Sequence, residues 1–300
     1  MTMENERRSP LHFIPRRVRE ELIAMSGEFA GTFLFLFFAF AGTQVANMSV
    51  SPNTTSSKVQ QLPDPSKLLY ISLSFAFSLT VNVWIFFRVT GGLFNPAVSL
   101  GLVLIRALPP VRGCLVTFAQ ILGGMAAAGV VSALLPGPLA VQTSLGGGTS
   151  IVRGLFIEMF LTAQLALTIF MLAAKRHKGR YISCVGIGLS LFIAELSGVY
   201  FTGGSLNPAR SFGPSVVLHK FNHYDWIYWV GPGLGSMLAA GFYGFLHLLD
   251  YQTLVPGDDW DVMDAEAQPR PGNYHQNEPH HDDYSTKKML STNGSNTITG

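Results

Sequence analysis

The chain has 300 residues, of which 48% are hydrophobic and only 13% are charged, and it carries a net charge of +2 at neutral pH. Soluble globular domains carry about 25% charged residues. Only five of the 18 acidic residues lie between residues 22 and 249. This composition excludes a cytosolic enzyme, a nucleic-acid binder and a disordered regulator. Because the sequence contains no nucleophile–base pair and no metal-ligand spacing, we predict no enzymatic activity, no cofactor and no metal site.

Six apolar runs are long enough to cross a bilayer as helices, which takes about 20 residues each. The first run is too long for a signal peptide and follows a polar, arginine-rich segment. We therefore predict an all-α membrane protein with an N-terminal segment 1–21, a membrane domain 22–249 and a disordered polar tail 250–300. The six runs cover roughly 23–47, 68–87, 113–135, 154–174, 182–201 and 226–249.

Lysine and arginine residues near the ends of the spans predict the orientation, because cytoplasmic connections carry an excess of them. They are concentrated before the first span, between spans two and three, and in the segment 175–180 between spans four and five. We expect the protein to lie in the plasma membrane with both termini on the cytoplasmic side. The connection between spans one and two then lies outside, and Asn53, followed by Thr54 and Thr55, is a possible glycosylation site there.

Two similar twelve-residue segments follow the second and the fifth span. Residues 90–101 (TGGLFNPAVSLG) and 202–213 (TGGSLNPARSFG) are identical at eight of the twelve positions. Each half of the chain, about 22–135 and 153–249, contains three spans, so the second half enters the membrane from the opposite face. The sequence thus predicts an inverted repeat with a pseudo-two-fold axis in the membrane plane.

Each of the two segments predicts a loop followed by a half-helix that enters the membrane halfway. Asparagine is a favourable helix N-cap and proline fits the first helical turn, and the apolar run that follows is too short to span the bilayer. Irregular backbone at this depth is tolerated only where it is buried or lines a water-filled cavity. The positive N-terminal ends of the two half-helices would meet near the midplane.

Two Asn-Pro-Ala boxes, the second followed by arginine, on six spans in an inverted repeat resemble the aquaporin (major intrinsic protein) family, and most of all water channels of fungal type. The resemblance covers about residues 22–249. It implies six transmembrane helices plus two re-entrant half-helices around a pore. The box residues at the centre of that pore would be Asn95, Pro96, Ala97, Asn207, Pro208 and Ala209.

The resemblance also assigns residues around the boxes. Asn95 and Asn207 would point side-chain N–H groups at a passing water molecule, although both could instead be helix caps alone. Glu28 and Glu158, at equivalent places in the two halves, would brace the loops, and Gln120 would assist. Backbone carbonyls would form two ladders of acceptors, contributed by Gly91, Gly92, Leu93, Gly203, Gly204 and Ser205.

The narrowest point of the pore, the selectivity filter, has four implied members: Phe75, Glu195, Gly204 and Arg210. Water channels of the family generally have histidine where Glu195 stands, and glycerol channels generally have glycine. We expect Glu195 to be ionised and hydrogen-bonded to Arg210. The alternative is that its carboxyl turns sideways and bonds to backbone of the outer loop.

The resemblance implies a passive water channel that also passes hydrogen peroxide and excludes ions and protons. A glycerol or small-neutral-solute facilitator is the first alternative: Gly204 favours it, whereas Ser211 and the pair Tyr228-Trp229 oppose it. A structural junction protein with a closed pore is the second alternative. The expected partners are water and small neutral solutes, membrane lipid and three further copies of the chain in a homotetramer, with no nucleic acid.

Overall fold

The computed structural model describes residues 14–48, 63–173 and 182–254. The predictions for residues 1–13 of the N-terminal segment, for Asn53, for the connection 175–180 and for the tail beyond residue 254 lie outside these residues. Within them the chain forms eight α-helices and one short 3₁₀ turn, Tyr251–Leu254. The helices are α1 (Arg16–Met48), α2 (Pro65–Phe86), α3 (Pro96–Leu104), α4 (Pro110–Leu134), α5 (Ile151–Ala173), α6 (Ser183–Thr202), α7 (Pro208–Val217) and α8 (Ile227–Leu248).

Six of these helices coincide with the six predicted spans. Five of them, α1, α2, α4, α5 and α6, are long and apolar enough to cross a membrane, with mean hydropathy of 1.7 to 2.0. The sixth, α8, has 22 residues and contains Pro232 within the helix. It packs along α5 as α4 packs along α1, so the helix pairs of the two halves are equivalent.

Helix α1 begins at Arg16, several residues before the predicted start of the first span. Its first turns are polar, so apolar content alone did not reveal them. Arg16 forms an ion pair with Glu20 at 2.7 Å within the helix, and Arg112 of α4 binds Glu21 through Nη2 at 2.8 Å. The first turns of α1 are therefore a polar extension that is tied to the start of α4.

The two short helices pack across the halves. Helix α3 of the first half lies against α8 of the second, and α7 of the second half lies against α4 of the first. Helices α2 and α6 also pack against each other. The short helices are therefore held between the halves, and each half contributes to the position of the other's loop.

In each half, a glycine at an equivalent position allows two helices to cross closely. A Cβ atom on Gly123 of α4 would lie 2.7 Å from the carbonyl oxygen of Phe29, and one on Gly235 of α8 would lie 2.3 Å from that of Met159. Only glycine fits at such separations, and small residues at helix interfaces allow close packing in membranes. Both repeats therefore use a glycine for the same close helix–helix contact.

Candidate functional site

The two half-helices begin next to each other in the interior of the protein. Asn95 caps α3 by accepting a hydrogen bond from the Ala97 amide at 2.8 Å, and Asn207 caps α7 by accepting from the Ala209 amide at 2.9 Å. A proline follows each cap at the first helical position. At 1.5 Å per residue, the nine and ten residues of these helices extend roughly 14–15 Å, about half of the hydrocarbon thickness.

The two cap asparagines also join the halves to each other. Asn95 Nδ2 donates to the carbonyl oxygen of Leu206 at 2.9 Å, and Asn207 Nδ2 donates to that of Phe94 at 2.8 Å. Sequence analysis did not predict these reciprocal bonds, because nothing in a local motif indicates which distant carbonyl an amide contacts. An amide nitrogen carries two hydrogens, so each side chain retains one N–H for another acceptor.

A buried glutamate supports the loop before α3. Glu28 accepts hydrogen bonds from the backbone amides of Leu93 at 3.1 Å and Phe94 at 2.8 Å, and from Gln120 Nε2 at 2.8 Å. Phe94 has a φ of 50°, which is costly for a residue with a side chain. The contacts that the sequence assigned to Glu28 and Gln120 are therefore present, and they hold a strained turn in place.

Glu158 does the same for the loop before α7. It accepts from the amides of Ser205 at 3.0 Å and Leu206 at 2.8 Å, and Leu206 has a φ of 53°. Both glutamates are completely buried. Glu28 and Glu158 therefore form equivalent hydrogen bonds in the two repeats.

A narrow cavity runs past both boxes. Its wall is mostly apolar, with a few polar groups at particular levels, which is the usual composition of a small-molecule site. The polar or backbone contributors include both cap asparagines, two predicted filter residues and parts of both loops. They are Gly92, Leu93, Asn95, Glu195, Ser205, Asn207 and Arg210.

Arg210 lies at this cavity and is held by three carbonyl oxygens. Its Nε donates to Gly204 at 2.9 Å, its Nη2 to Gly203 at 3.1 Å and its Nη1 to Val141 at 2.7 Å. Its guanidinium carbon also lies 5.0 Å from the ring centroid of Phe75, within the range of a cation–π contact. The guanidinium is thus fixed in one orientation, and Phe75, another predicted filter residue, packs against it.

Glu195 is completely buried on α6 and lines the cavity, but the hydrogen bond expected to Arg210 is wrong. Neither carboxyl oxygen has a hydrogen-bond partner among the described residues, so the alternative bond to the outer loop is not formed either. Arg210 instead donates to the backbone carbonyls of Gly203, Gly204 and Val141. The carboxyl is buried in the cavity wall, beside Gly204.

The Glu195 carboxyl occupies space that is free because Gly204 has no side chain. Gly204 has a φ of 60°, and a Cβ atom at this position would lie 2.0 Å from Glu195 Oε2. Of the predicted acceptor ladder, Gly92, Leu93 and Ser205 line the cavity, whereas Gly91, Gly203 and Gly204 are not among its lining residues. The Gly203 and Gly204 carbonyls accept from Arg210 instead.

The connection between α4 and α5 contributes to the site in a way that sequence analysis missed. Besides the Val141 carbonyl, Thr143 Oγ1 donates to Ser211 Oγ at 2.9 Å, and Ser211 Oγ lies 2.6 Å from Ser205 Oγ. This chain of hydroxyls joins the connection to the second loop. No sequence motif marks the connection between α4 and α5. The position of Ser211 directly after Arg210 did indicate that Ser211 belongs to the site.

These features define a class of protein: an all-helical membrane protein in which two half-helices meet N-terminus to N-terminus on a narrow cavity. The sequence profile of the family described as "Major intrinsic protein" matches residues 17–243. The chain belongs to that family, and the predicted fold class is confirmed.

Relatives from fungi are similar over most of the chain. Aquaporin-7 of Botryotinia fuckeliana is 62% identical over 84% of this chain and 56% of its own length, and Aquaporin-5 of the same fungus is 54% identical over 83% and 46%. The chain therefore spans about half the length of these relatives. The solved aquaglyceroporin of Plasmodium falciparum has the same fold, with a TM-score of 0.63 and 23% identity, covering 77% of this chain and 99% of its own.

Mercurials commonly block family members through a cysteine where this chain has Gly204, so we expect little inhibition here. Cys184 is buried at the start of α6, about 16 Å along the helix from Glu195. Cys114 is exposed on α4. Water permeability of vesicles containing the protein should be unchanged by micromolar mercury, and Gly204→Cys should confer a block that thiols reverse. Strong inhibition of the unaltered protein would contradict this placement of its cysteines.

Proposed function

We propose that this protein is a passive water channel that also passes hydrogen peroxide and excludes ions and protons. The observation that carries the proposal is the meeting of the two Asn-capped half-helices on the cavity. Water is small enough to move along such a cavity in single file, and hydrogen peroxide is close to water in width and in its pattern of donors and acceptors. Membership of a family of channels supports the same class of function.

The two asparagines would orient each water molecule. The N–H that Asn95 and Asn207 each retain would donate to one water oxygen, which turns the hydrogens of that water away from the centre in both directions. A water oriented in this way accepts no proton from its neighbours. This arrangement interrupts a chain of hydrogen bonds along which protons would otherwise pass.

Fixed positive charge would oppose cations. The half-helix N-termini carry partial positive charge, and Arg210 adds a full charge that three carbonyls hold at the cavity wall. Because the surrounding wall is apolar, a dehydrated cation finds few groups there to replace its hydration shell. Neutral solutes meet a smaller barrier.

Passage of glycerol or another small neutral solute is the second candidate. Gly204 adds no side chain beside Arg210, although the Glu195 carboxyl occupies the space that a side chain would take there. Ser211, which is hydrogen-bonded to Thr143 and Ser205, is instead the residue type that water channels have at this position. We therefore rank glycerol below water.

The test is osmotic response of proteoliposomes, which should shrink at least tenfold faster than protein-free vesicles in a sucrose gradient. In a glycerol gradient, a strict water channel leaves the vesicles shrunken, whereas a glycerol channel lets them swell again. A peroxide-sensitive probe trapped inside the vesicles measures the uptake of hydrogen peroxide, the second proposed solute. Shrinkage no faster than in protein-free vesicles would refute the water channel and favour a closed-pore structural protein.

We also propose a homotetramer in the plasma membrane with both ends of the chain cytoplasmic. Large apolar side chains are exposed on helices of both halves, for example Phe38, Phe77, Trp84 and Phe160. In a membrane these faces contact lipid or other copies of the chain. The distribution of lysine and arginine described above supports the orientation.

A further inference from the structure

A group of aromatic side chains forms a pocket on the surface of the protein at the start of α8. The ring of Phe212 in α7 contacts that of Phe221, with centroids 6.1 Å apart and 50° between the planes, and that of Trp229, with centroids 5.7 Å apart and 80° between the planes. Trp226 lines the same pocket. Because the rings are inclined to one another, they enclose a concave site, and among the described residues this site shares no lining residue with the pore cavity.

Asp225 adds a carboxylate to this aromatic pocket. Its oxygens accept hydrogen bonds from the Asn222 backbone amide at 2.9 Å and from Asn222 Nδ2 at 3.2 Å, and both donors are neutral. The two ion pairs found among the described residues both involve the start of α1, so no cationic side chain in this part of the chain is paired with Asp225. A cation that enters the pocket therefore meets both aromatic faces and a carboxylate without a counter-charge.

The pocket lies where α8 enters the membrane. Trp226 directly precedes the helix and is 48% exposed, and Trp229 in its first turn is 40% exposed. Tryptophan is enriched at the level of the lipid headgroups. Exposed apolar side chains continue from the pocket along one face of α8, at spacings of three and four residues: Trp226, Val230, Leu234 and Met237. A lipid whose headgroup occupies the pocket therefore has an apolar surface for its acyl chain.

We propose that this pocket is a binding site for the headgroup of a choline phospholipid. The quaternary ammonium group lies against the rings of Phe212, Phe221 and Trp229 and beside Asp225. Aromatic rings recognise quaternary ammonium ligands because the ring faces attract the cation at close range. The site is separate from the pore, and it does not depend on which solute the channel passes.

The methyl groups of choline decide the preference for it over ethanolamine. A trimethylammonium group has no N–H, so it leaves water without losing strong hydrogen bonds. A primary ammonium has three donors, whereas the Asp225 carboxylate already accepts two hydrogen bonds from Asn222. Removing such donors from water without new partners is costly, and an anionic headgroup is repelled by Asp225. The pocket should therefore select choline lipids over both other classes.

The experiment measures competition between two lipids for the purified protein in detergent. Native mass spectrometry counts bound dioleoyl-phosphatidylcholine and dioleoyl-phosphatidylethanolamine, which have the same chains and are added at equal concentrations. Wild type should bind the choline lipid about fivefold more tightly. Trp226→Leu and Trp229→Leu should each bring this ratio below about twofold. Asp225→Asn should also lower the ratio, whereas Trp229→Phe should stay close to wild type because it keeps a ring face.

Trp84→Leu on α2 is the matched control and should keep the wild-type ratio, because it removes a tryptophan that is 55% exposed and does not line the pocket. Choline chloride at the concentration of the lipid should not displace the lipid, since it lacks the acyl chains. Displacement by choline chloride would overturn the assignment to a lipid. Equal binding of the two lipids by wild type, or an unchanged ratio in Trp226→Leu, Trp229→Leu and Asp225→Asn, would overturn the site.

Discussion

Arg210→Ala should make the channel leak protons and monovalent cations. The substitution removes the fixed positive charge at the cavity, and the buried Glu195 carboxyl in the cavity wall loses the favourable charge of Arg210. It also releases the carbonyls of Gly203, Gly204 and Val141, which are oxygen ligands of the kind that replace a cation's hydration shell. Both changes lower the barrier for cations.

Proton flux is measured from the collapse of a pH gradient in proteoliposomes that contain a trapped fluorescent dye. We expect at least a tenfold increase over wild type for Arg210→Ala. The double variant Arg210→Ala/Glu195→Gln should leak less, because the acidic group is gone, and Arg210→Lys should stay closer to wild type because the charge is kept. Equal proton flux in Arg210→Ala and wild type would show that the arginine is not a barrier to cations.

Glu158→Gln should destabilise the protein and abolish most water flux. The glutamate accepts from two backbone amides, one through each oxygen. Glutamine has one oxygen and one NH₂ group, so an amide donor of the loop would face another donor in a completely buried place. Each buried polar group left unsatisfied costs about 1–3 kcal/mol, and the strained Leu206 backbone would lose its support.

Glu195→Gln is the matched control, since it makes the same chemical change at another completely buried glutamate, whose carboxyl has no hydrogen-bond partner among the described residues. Thermal unfolding in detergent should show a lowered midpoint for Glu158→Gln and little change for Glu195→Gln. Water permeability per molecule should fall at least tenfold in the first variant only. Equal midpoints for the two variants would contradict the bracing role of Glu158.

The repeat made much of the fold predictable. Two matching segments and six apolar runs were sufficient for the helices and the half-helices, because these depend on local pattern and on equivalence between the halves. The contacts of Glu28 and Glu158 followed from the resemblance to the family, which the repeat pattern alone does not supply. The polar turns at the start of α1 were not predicted, since a helix that leaves the membrane has no apolar signal.

The site was less predictable wherever a contact crosses between distant segments. The sequence suggested that Glu195 and Arg210 are neighbours, but it did not show that Val141 and the second loop would take the arginine's hydrogen bonds. Opposite charges suggested a pair, and the competing acceptors were backbone carbonyls, which every residue has. The sequence pattern likewise carried no sign of the bond from Asn95 to Leu206.

That bond has a consequence for the order in which the protein is made. Asn95 and its acceptor are 111 residues apart in the chain, and Asn207 and its acceptor are 113 apart. At roughly 5–20 residues per second, a ribosome takes about 5–20 s to make the partner of the first cap. During this time the Leu206 carbonyl that Asn95 binds in the finished protein does not yet exist, so this contact forms only after the second half is made. The hydrogen bonds between the two asparagines and the opposite loops therefore close the centre of the protein late in its biosynthesis.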